Sequence, residues 1–358
     1  MPELESWIRL AKLESPKKAV ALVDHFGGPD EVFRAKPAQF AYVEGMNPKT
    51  AERVRAAASE PVDAELEALE RIGARVVTIR DPEYPASLRQ IYDPPPVLFV
   101  RGEIREEDRF AVGVVGTRRP SEHGRMIARE ISRDLAAQGI CIVSGGAYGI
   151  DTEAHAGAVE TGRTICVLGC GVDIAYPPHN AELFEKIAAS GALVSEFVPG
   201  TQPDYWRFPV RNRLISGLSL GVLIVESRSK GGAMITATLA AEQGRDVWAV
   251  PGMTRSSTSE GPHTLIREGA KLVERAEDIL MDLGVQIESK PYKRTEIPEN
   301  LSPEQKSVIR ALDLHPKHVD EIIAECGLTP AAASTALTLL EMQGLIRRVP
   351  GNAYVRSV

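Results

Sequence analysis

Apolar residues in the middle of the chain come in short, nearly unbroken runs. They read FAVGVVG from Phe110, ICIVSG from Ile140, TICVLG from Thr164, ALVSEF from Ala192, LGVLIVES from Leu220, DVWAVPG from Asp246 and KLVE from Lys271. Segments of helical spacing separate them, over 121–138, 151–161, 180–189 and 232–243. A strand with one wet face alternates apolar and polar residues, whereas a strand covered on both faces stays apolar throughout. The pattern therefore predicts an α/β fold: an extended Rossmann-like, doubly wound, mostly parallel sheet within residues 75–285. Two further β-like runs, ARVVTI and PPVLFVRG, stand at its start around the proline-rich stretch 93–96.

The flanks follow other periods. Residues 1–65 read as short helices punctuated at HFGGPD and EGMNPKT, a SAM/helix-hairpin-helix-like domain. The second turn, Gly45 to Lys49, has the shape of a hairpin that holds a phosphate on its amides, but Asn47 stands where a DNA-binding version has a second glycine. Residues 286–303, polar and proline-bearing, predict a linker. From 304 to 358 the pattern is helix, turn at Cys326 and Gly327, second helix, and a two-strand wing turning at 350–352, which is a winged helix-turn-helix.

Composition narrows the function. The chain has 358 residues, 43% apolar and 25% charged, with net charge -7, so a broadly basic nucleic-acid coat is excluded and any polyanion site must be local. The N-terminal stretch PELESWIRLAKL lacks the features of a signal peptide, and no apolar run approaches membrane-spanning length, so a cytoplasmic protein with no membrane contact is expected. Four cysteines without C-x-x-C spacing read as buried reduced thiols, and no metal or cofactor motif is present.

Four of the presumed strands end in turns of glycine and small residues: VGTRRP (115–120), SGGAYG (144–149), LGCGVD (168–173) and ESRSKGGA (226–233). In an open α/β sheet the carboxyl ends of the strands share one edge, so these turns line one crevice. Glycine lets backbone N–H groups approach an anion closely. The spacing at Gly145, Gly146 and Gly149 is G-G-x-x-G, neither the dinucleotide fingerprint nor a P-loop. Cations converge on the same edge: Arg118, Arg119, Lys230, and Arg207, Arg211 and Arg213 in DYWRFPVRNRLISGLS. Together they describe a phosphate pocket, with Tyr205, Trp206 or Phe208 available as a stacking platform. The bland alternative has some of these arginines pairing with Glu196 or Glu226 to hold the sheet edge.

Asp151 reads as the cap of the helix that follows the glycine turn, His155 as a packed or surface histidine, and Asn180 as another helix cap. With Asp151 at the helix start, a phosphate is expected on the amides of Ser144, Gly145, Gly146 and Ala147. The second helix of the tail, PAAASTALTLLEMQ, carries no basic residue, which favours protein contact over reading of duplex DNA.

The stretches DPEYPASLRQIYDPPPVLFVRG, AVGVVGTRRPSEHG, VSGGAYGIDTEAHAGA, TICVLGCGVDIAYPPHN, SEFVPGTQPDYWRFPVRNRLISGLS, VESRSKGGAMITATLAAEQGRDVWAVPG and GPHTLIREGA together resemble the DNA-processing protein A (DprA/Smf) family over about 80–270. The resemblance implies a non-enzymatic, homodimeric binder of single-stranded DNA that protects incoming strands in natural transformation. It also implies loading of the RecA recombinase, with single-strand-binding protein as a further partner. Its strand pocket maps onto Gly116, Thr117, Arg118 and Arg119, onto Ser144, Gly145, Gly146 and Ala147, onto Arg211, Asn212 and Arg213, and onto Lys230, Gly231 and Gly232. From the residues alone the ligand is phosphate-bearing, and a nucleotide or nucleoside-phosphate hydrolase using Glu226 or Glu196 in the same crevice stays open as the alternative.

Overall fold

The computed structural model describes residues 2–285, 301–312, 316–349 and 351–356. Among them, nine strands make one sheet in the order β1-β2-β6-β5-β4-β3-β7-β8-β9. The strands are β1 Ala74–Thr78, β2 Val97–Gly102, β3 Ala111–Val115, β4 Cys141–Ser144, β5 Thr164–Val167, β6 Ala192–Ser195, β7 Gly221–Ile224, β8 Asp246–Ala249 and β9 Lys271–Leu272. Every residue of β3 to β7 is buried, which is why those runs are apolar without alternation. Each aliphatic side chain so enclosed contributes roughly 1.5–3 kcal/mol. β1 and β2 pair antiparallel with each other and β2 pairs antiparallel with β6; the other pairings are parallel.

The chain winds outward from β3 through β4, β5 and β6, then returns to lay β7 against the free side of β3, in register Val112 to Gly221 and Val115 to Ile224. The reversal opens a crevice at the carboxyl ends of β3 and β7. Beside it runs the helix Arg207–Leu218, which the hydrophobic pattern did not announce. Seven of its residues are buried, two of them arginines, so it shows no amphipathic period.

The N-terminal helices Pro2–Ala11, Pro16–Phe26 and Pro48–Ala57 share one core with the sheet, in which Trp7, Leu22 and Val54 pack in a cluster with Phe99, Phe184 and Leu193. They belong to the same compact unit as the sheet, and the winged tail belongs to a second. At the predicted hairpin turn, the Asn47 side chain accepts from the Thr50 N–H at 2.8 Å and so caps its helix.

The tail has helices Pro303–Ala311, Val319–Cys326 and Pro330–Met342 around Val308, Ile322, Leu337 and Leu340. Strands β10 Lys317–His318, β11 Ile346–Val349 and β12 Ala353–Arg356 form its wing in the order β10-β12-β11. Gly327 turns between the last two helices at φ 64°. Of the predicted linker, residues 286–300 lie outside the described residues, as does Pro350 of the wing turn.

Candidate nucleic-acid site

At the crevice lies an open cavity of about 400 Å³. One wall is the turn after β3, with Gly116, Thr117 and Arg118, and the opposite wall is the turn after β7, with Ser227, Arg228, Gly231 and Gly232. Ala147 and Asp151 enter from the glycine turn after β4, and Tyr205, Phe208, Arg211 and Asn212 from the helix Arg207–Leu218 and the segment before it. The two walls are tied together, because the Thr117 N–H donates to the Glu226 carbonyl at 2.7 Å. A Cβ on Gly116 would stand 2.5 Å from Ile150 Cγ1 and 2.9 Å from the Glu226 oxygen, so this close approach needs glycine.

Most groups of the glycine turn are held from within the protein. The Ser144 hydroxyl donates to the Val114 carbonyl at 2.6 Å. The buried Asn180 donates through Nδ2 to the Gly146 carbonyl at 3.0 Å and to Thr152 Oγ1 at 2.9 Å. Asn180 therefore fixes the turn, and its side chain makes no capping bond to the helix Ala181–Ser190. Arg211, only 3% exposed, donates from Nη1 to the carbonyls of Gly145, at 2.7 Å, and Val167. Desolvation lowers its pKa, opposed chiefly by Asp151.

Two of the turn's amides, those of Gly145 and Ala147, also face a carboxylate where a neutral phosphate cradle was expected. The helix Ile150–Thr161 has Gly149 at its N-cap, not Asp151. Asp151 instead turns its carboxylate back over the loop, where Oδ2 accepts from the Ala147 N–H at 3.4 Å and the Gly145 N–H also faces it. Burial raises its pKa to about 6, against the opposing pull of Arg211, the two amides and Arg118. One turn on, His155 is fully buried, with Nδ1 2.7 Å from Thr164 Oγ1. Burial and the charge of Arg211 lower its pKa to about 3, so it is a neutral core residue.

The predicted cations divide. Arg118 is exposed at the cavity, its guanidinium carbon 5.2 Å from the Phe208 ring centroid, and Phe208 in turn stacks on Tyr176 at 5.7 Å. Arg119 and Lys230 are exposed on the same two turns but do not line the cavity. Arg213 faces away from it: Nη1 and Nη2 bind Glu196 Oε1 and Oε2 at 2.6 and 2.7 Å, and Nε binds Asp93 at 2.8 Å. Two residues apart on one helix, Arg211 and Arg213 point to different sides. Arg207 packs over Trp206 and pairs with Glu14 at 3.0 Å. Neither Glu196 nor Glu226, the carboxylates of the hydrolase alternative, lines the cavity.

Three contributors escaped the sequence reading. Arg228 lines the cavity where Lys230 was expected; both stand in ESRSKGGA, and only the path of the turn decides which faces inward. Tyr176 backs Phe208 from a loop about 30 residues earlier, a pairing with no local signal. Asp151 was singled out, but for its helix and not for the cavity it lines. No group of acidic, histidine or cysteine side chains fit to hold a metal occurs among the described residues, and no single helix there is long and apolar enough to cross a membrane.

Residues 75–284 match the family model described as DNA recombination-mediator protein A, and residues 293–352 match the DprA winged helix domain. The chain is 35% identical over 372 residues to Protein Smf of Synechocystis sp., covering 94% of each. It is 42% identical over 213 residues to DNA processing protein DprA of Bacillus subtilis, covering 59% of this chain and 72% of that one. Among solved structures it resembles DNA processing protein A of Streptococcus pneumoniae, with TM-score 0.67 and 34% identity over 76% of this chain and 95% of that one. The Helicobacter pylori DNA processing protein A, described for its single-stranded DNA binding mode, matches with TM-score 0.53 and 30% identity over 58% of this chain and 95% of that one. A family model spanning more than half the chain, on the sheet that builds the cavity, shows that this protein belongs to the DNA recombination-mediator protein A family.

Proposed function

We propose that this protein binds single-stranded DNA across the β3/β7 crevice and delivers it to a recombinase. The observation that carries the reading is the exposed Arg118 over Phe208 at the cavity, with Tyr176 stacked on Phe208 behind it. A cation beside an aromatic face serves a ligand that has both a phosphate and a base, as a strand does and inorganic phosphate does not. Arg119, Arg228 and Lys230 extend the positive rim on an otherwise acidic chain. Single-strand binding by the Helicobacter pylori relative supports the same assignment. Gly116, Thr117, Asn212, Gly231 and Gly232 contribute the neutral walls.

The recombination-mediator description of the family supports extending this to loading of a RecA-type recombinase, with protection of incoming strands in natural transformation as the setting and a homodimer as the working form. The deciding experiment is fluorescence anisotropy with single-stranded and duplex oligonucleotides across salt. Four rim cations predict a log-log salt slope of about -3 on single strands, at about -0.7 per phosphate. A flat salt response, or equal binding of duplex, overturns the reading.

A further inference from the structure

We infer that Asp151 is a built-in competitor for the strand's phosphate, so that single-stranded DNA binds this protein with uptake of a proton onto the Asp151 carboxyl. The inference rests on the single-strand reading above and adds to it what limits the affinity.

The geometry is specific. Ala147 of the glycine turn after β4 lines the cavity, and the Asp151 carboxylate already lies on its amide, 3.4 Å from the nitrogen. Asp151 is 6% exposed and lines the cavity itself. A phosphodiester that reached the same amides would stand against a buried carboxylate, two like charges with little water between them. Arg211 offsets the conflict only in part, since its guanidinium is buried and already bonded to the Gly145 and Val167 carbonyls. Protonation does relieve it, and it also turns the carboxyl into a donor toward a phosphate oxygen.

The groups that face Asp151 set where this happens. They are Arg211 from the helix Arg207–Leu218, Arg118 from the turn after β3, the Gly145 and Ala147 amides, and Cys166 from the end of β5, whose burial keeps it a thiol. Arg228 lines the far wall of the same cavity. His155, on the same helix, has a pKa near 3 and does not titrate in the relevant range. The free carboxyl titrates at about 6. A bound phosphate raises that value further, so affinity is level below pH 6 and falls as pH rises above it, by up to tenfold per pH unit.

The test uses the full chain and a labelled deoxythymidine oligomer, a strand whose bases do not titrate between pH 5.5 and 8. Wild-type affinity should fall at least tenfold from pH 6 to pH 8, and Asp151→Asn should bind at least tenfold tighter than wild type at pH 8 with a flat profile. Calorimetry on the wild type at pH 7, in two buffers of different ionisation enthalpy, should show uptake of close to one proton per strand; this holds whether or not the variant folds. Strand binding with no proton uptake and no pH dependence overturns the role of Asp151 while leaving the single-strand reading intact. Absence of strand binding at every pH overturns both.

Discussion

The Arg211 guanidinium lies directly beneath the backbone of Gly145: Nη1 donates to the Gly145 carbonyl at 2.7 Å, and a Cβ on Gly145 would come within 2.5 Å of Nη2. An arginine expected to touch DNA is thus the support of the loop that borders the cavity. Arg211→Ala leaves the Gly145 and Val167 carbonyls without their donor and the Asp151 carboxylate without its nearest cation, and we expect a loss of about 3 kcal/mol or more in urea unfolding. Arg211→Lys should not restore it, because one ammonium cannot reproduce the planar fork. A fully stable Arg211→Ala that lost only strand binding would contradict this.

Arg118 behaves oppositely. Exposed and stacked on Phe208, it holds no buried acceptor among the described residues, so Arg118→Ala should leave the unfolding midpoint within experimental error. Single-strand affinity should drop by roughly 1–3 kcal/mol, tenfold or more, and the salt slope should flatten by about 0.7. Anisotropy titrations at several salt concentrations separate the two effects.

Arg213 and Glu196 form a buried ion pair, 5% and 8% exposed, with Asp93 as the second partner of the arginine. Burial pushes the Glu196 pKa up, and Arg213 opposes that. Removing one charge strands the other, so Arg213→Met should cost about 3–5 kcal/mol, whereas adding Glu196→Leu to it should recover much of the loss. Thermal unfolding of the single and double variants checks this; equal destabilisation by both would contradict it.

Asp151 and His155 give stability opposite pH dependences. The folded state raises the Asp151 pKa from 3.8 to about 6, so its contribution is full below pH 3.8 and is lost as pH rises through 6. It lowers the His155 pKa from 6.5 to about 3, so that contribution is full above pH 6.5 and is lost as pH falls toward 3. Between pH 4 and 6 the two slopes, each about 1.4 kcal/mol per pH unit, cancel. Asp151→Asn removes one of them, and relative to wild type the variant should lose about 2 kcal/mol as pH falls from 6 to 4. Parallel stability curves for the two proteins would refute the assignment.

By itself the sequence determined the α/β sheet, the crevice and the winged tail. Their signals are local: β3 to β7 are buried on both faces, so their residues are apolar in unbroken runs, and the turns that end them need small residues to pass close to one another. Gly116, Thr117, Arg118, Gly231 and Gly232 were legible as cavity residues because they follow strands whose ends must share an edge. Only the tertiary structure decided which cations face that cavity. Arg211 and Arg213 are two residues apart on one helix, and their sides were set by Gly145 and Val167 in one direction and Glu196 and Asp93 in the other. Those partners lie 17 to 120 residues away, so no local pattern encodes them. The same holds for Asp151: a helix-start aspartate looks like a cap in any sequence, and only the folded turn brings the Ala147 amide back to its carboxylate and makes it part of the site.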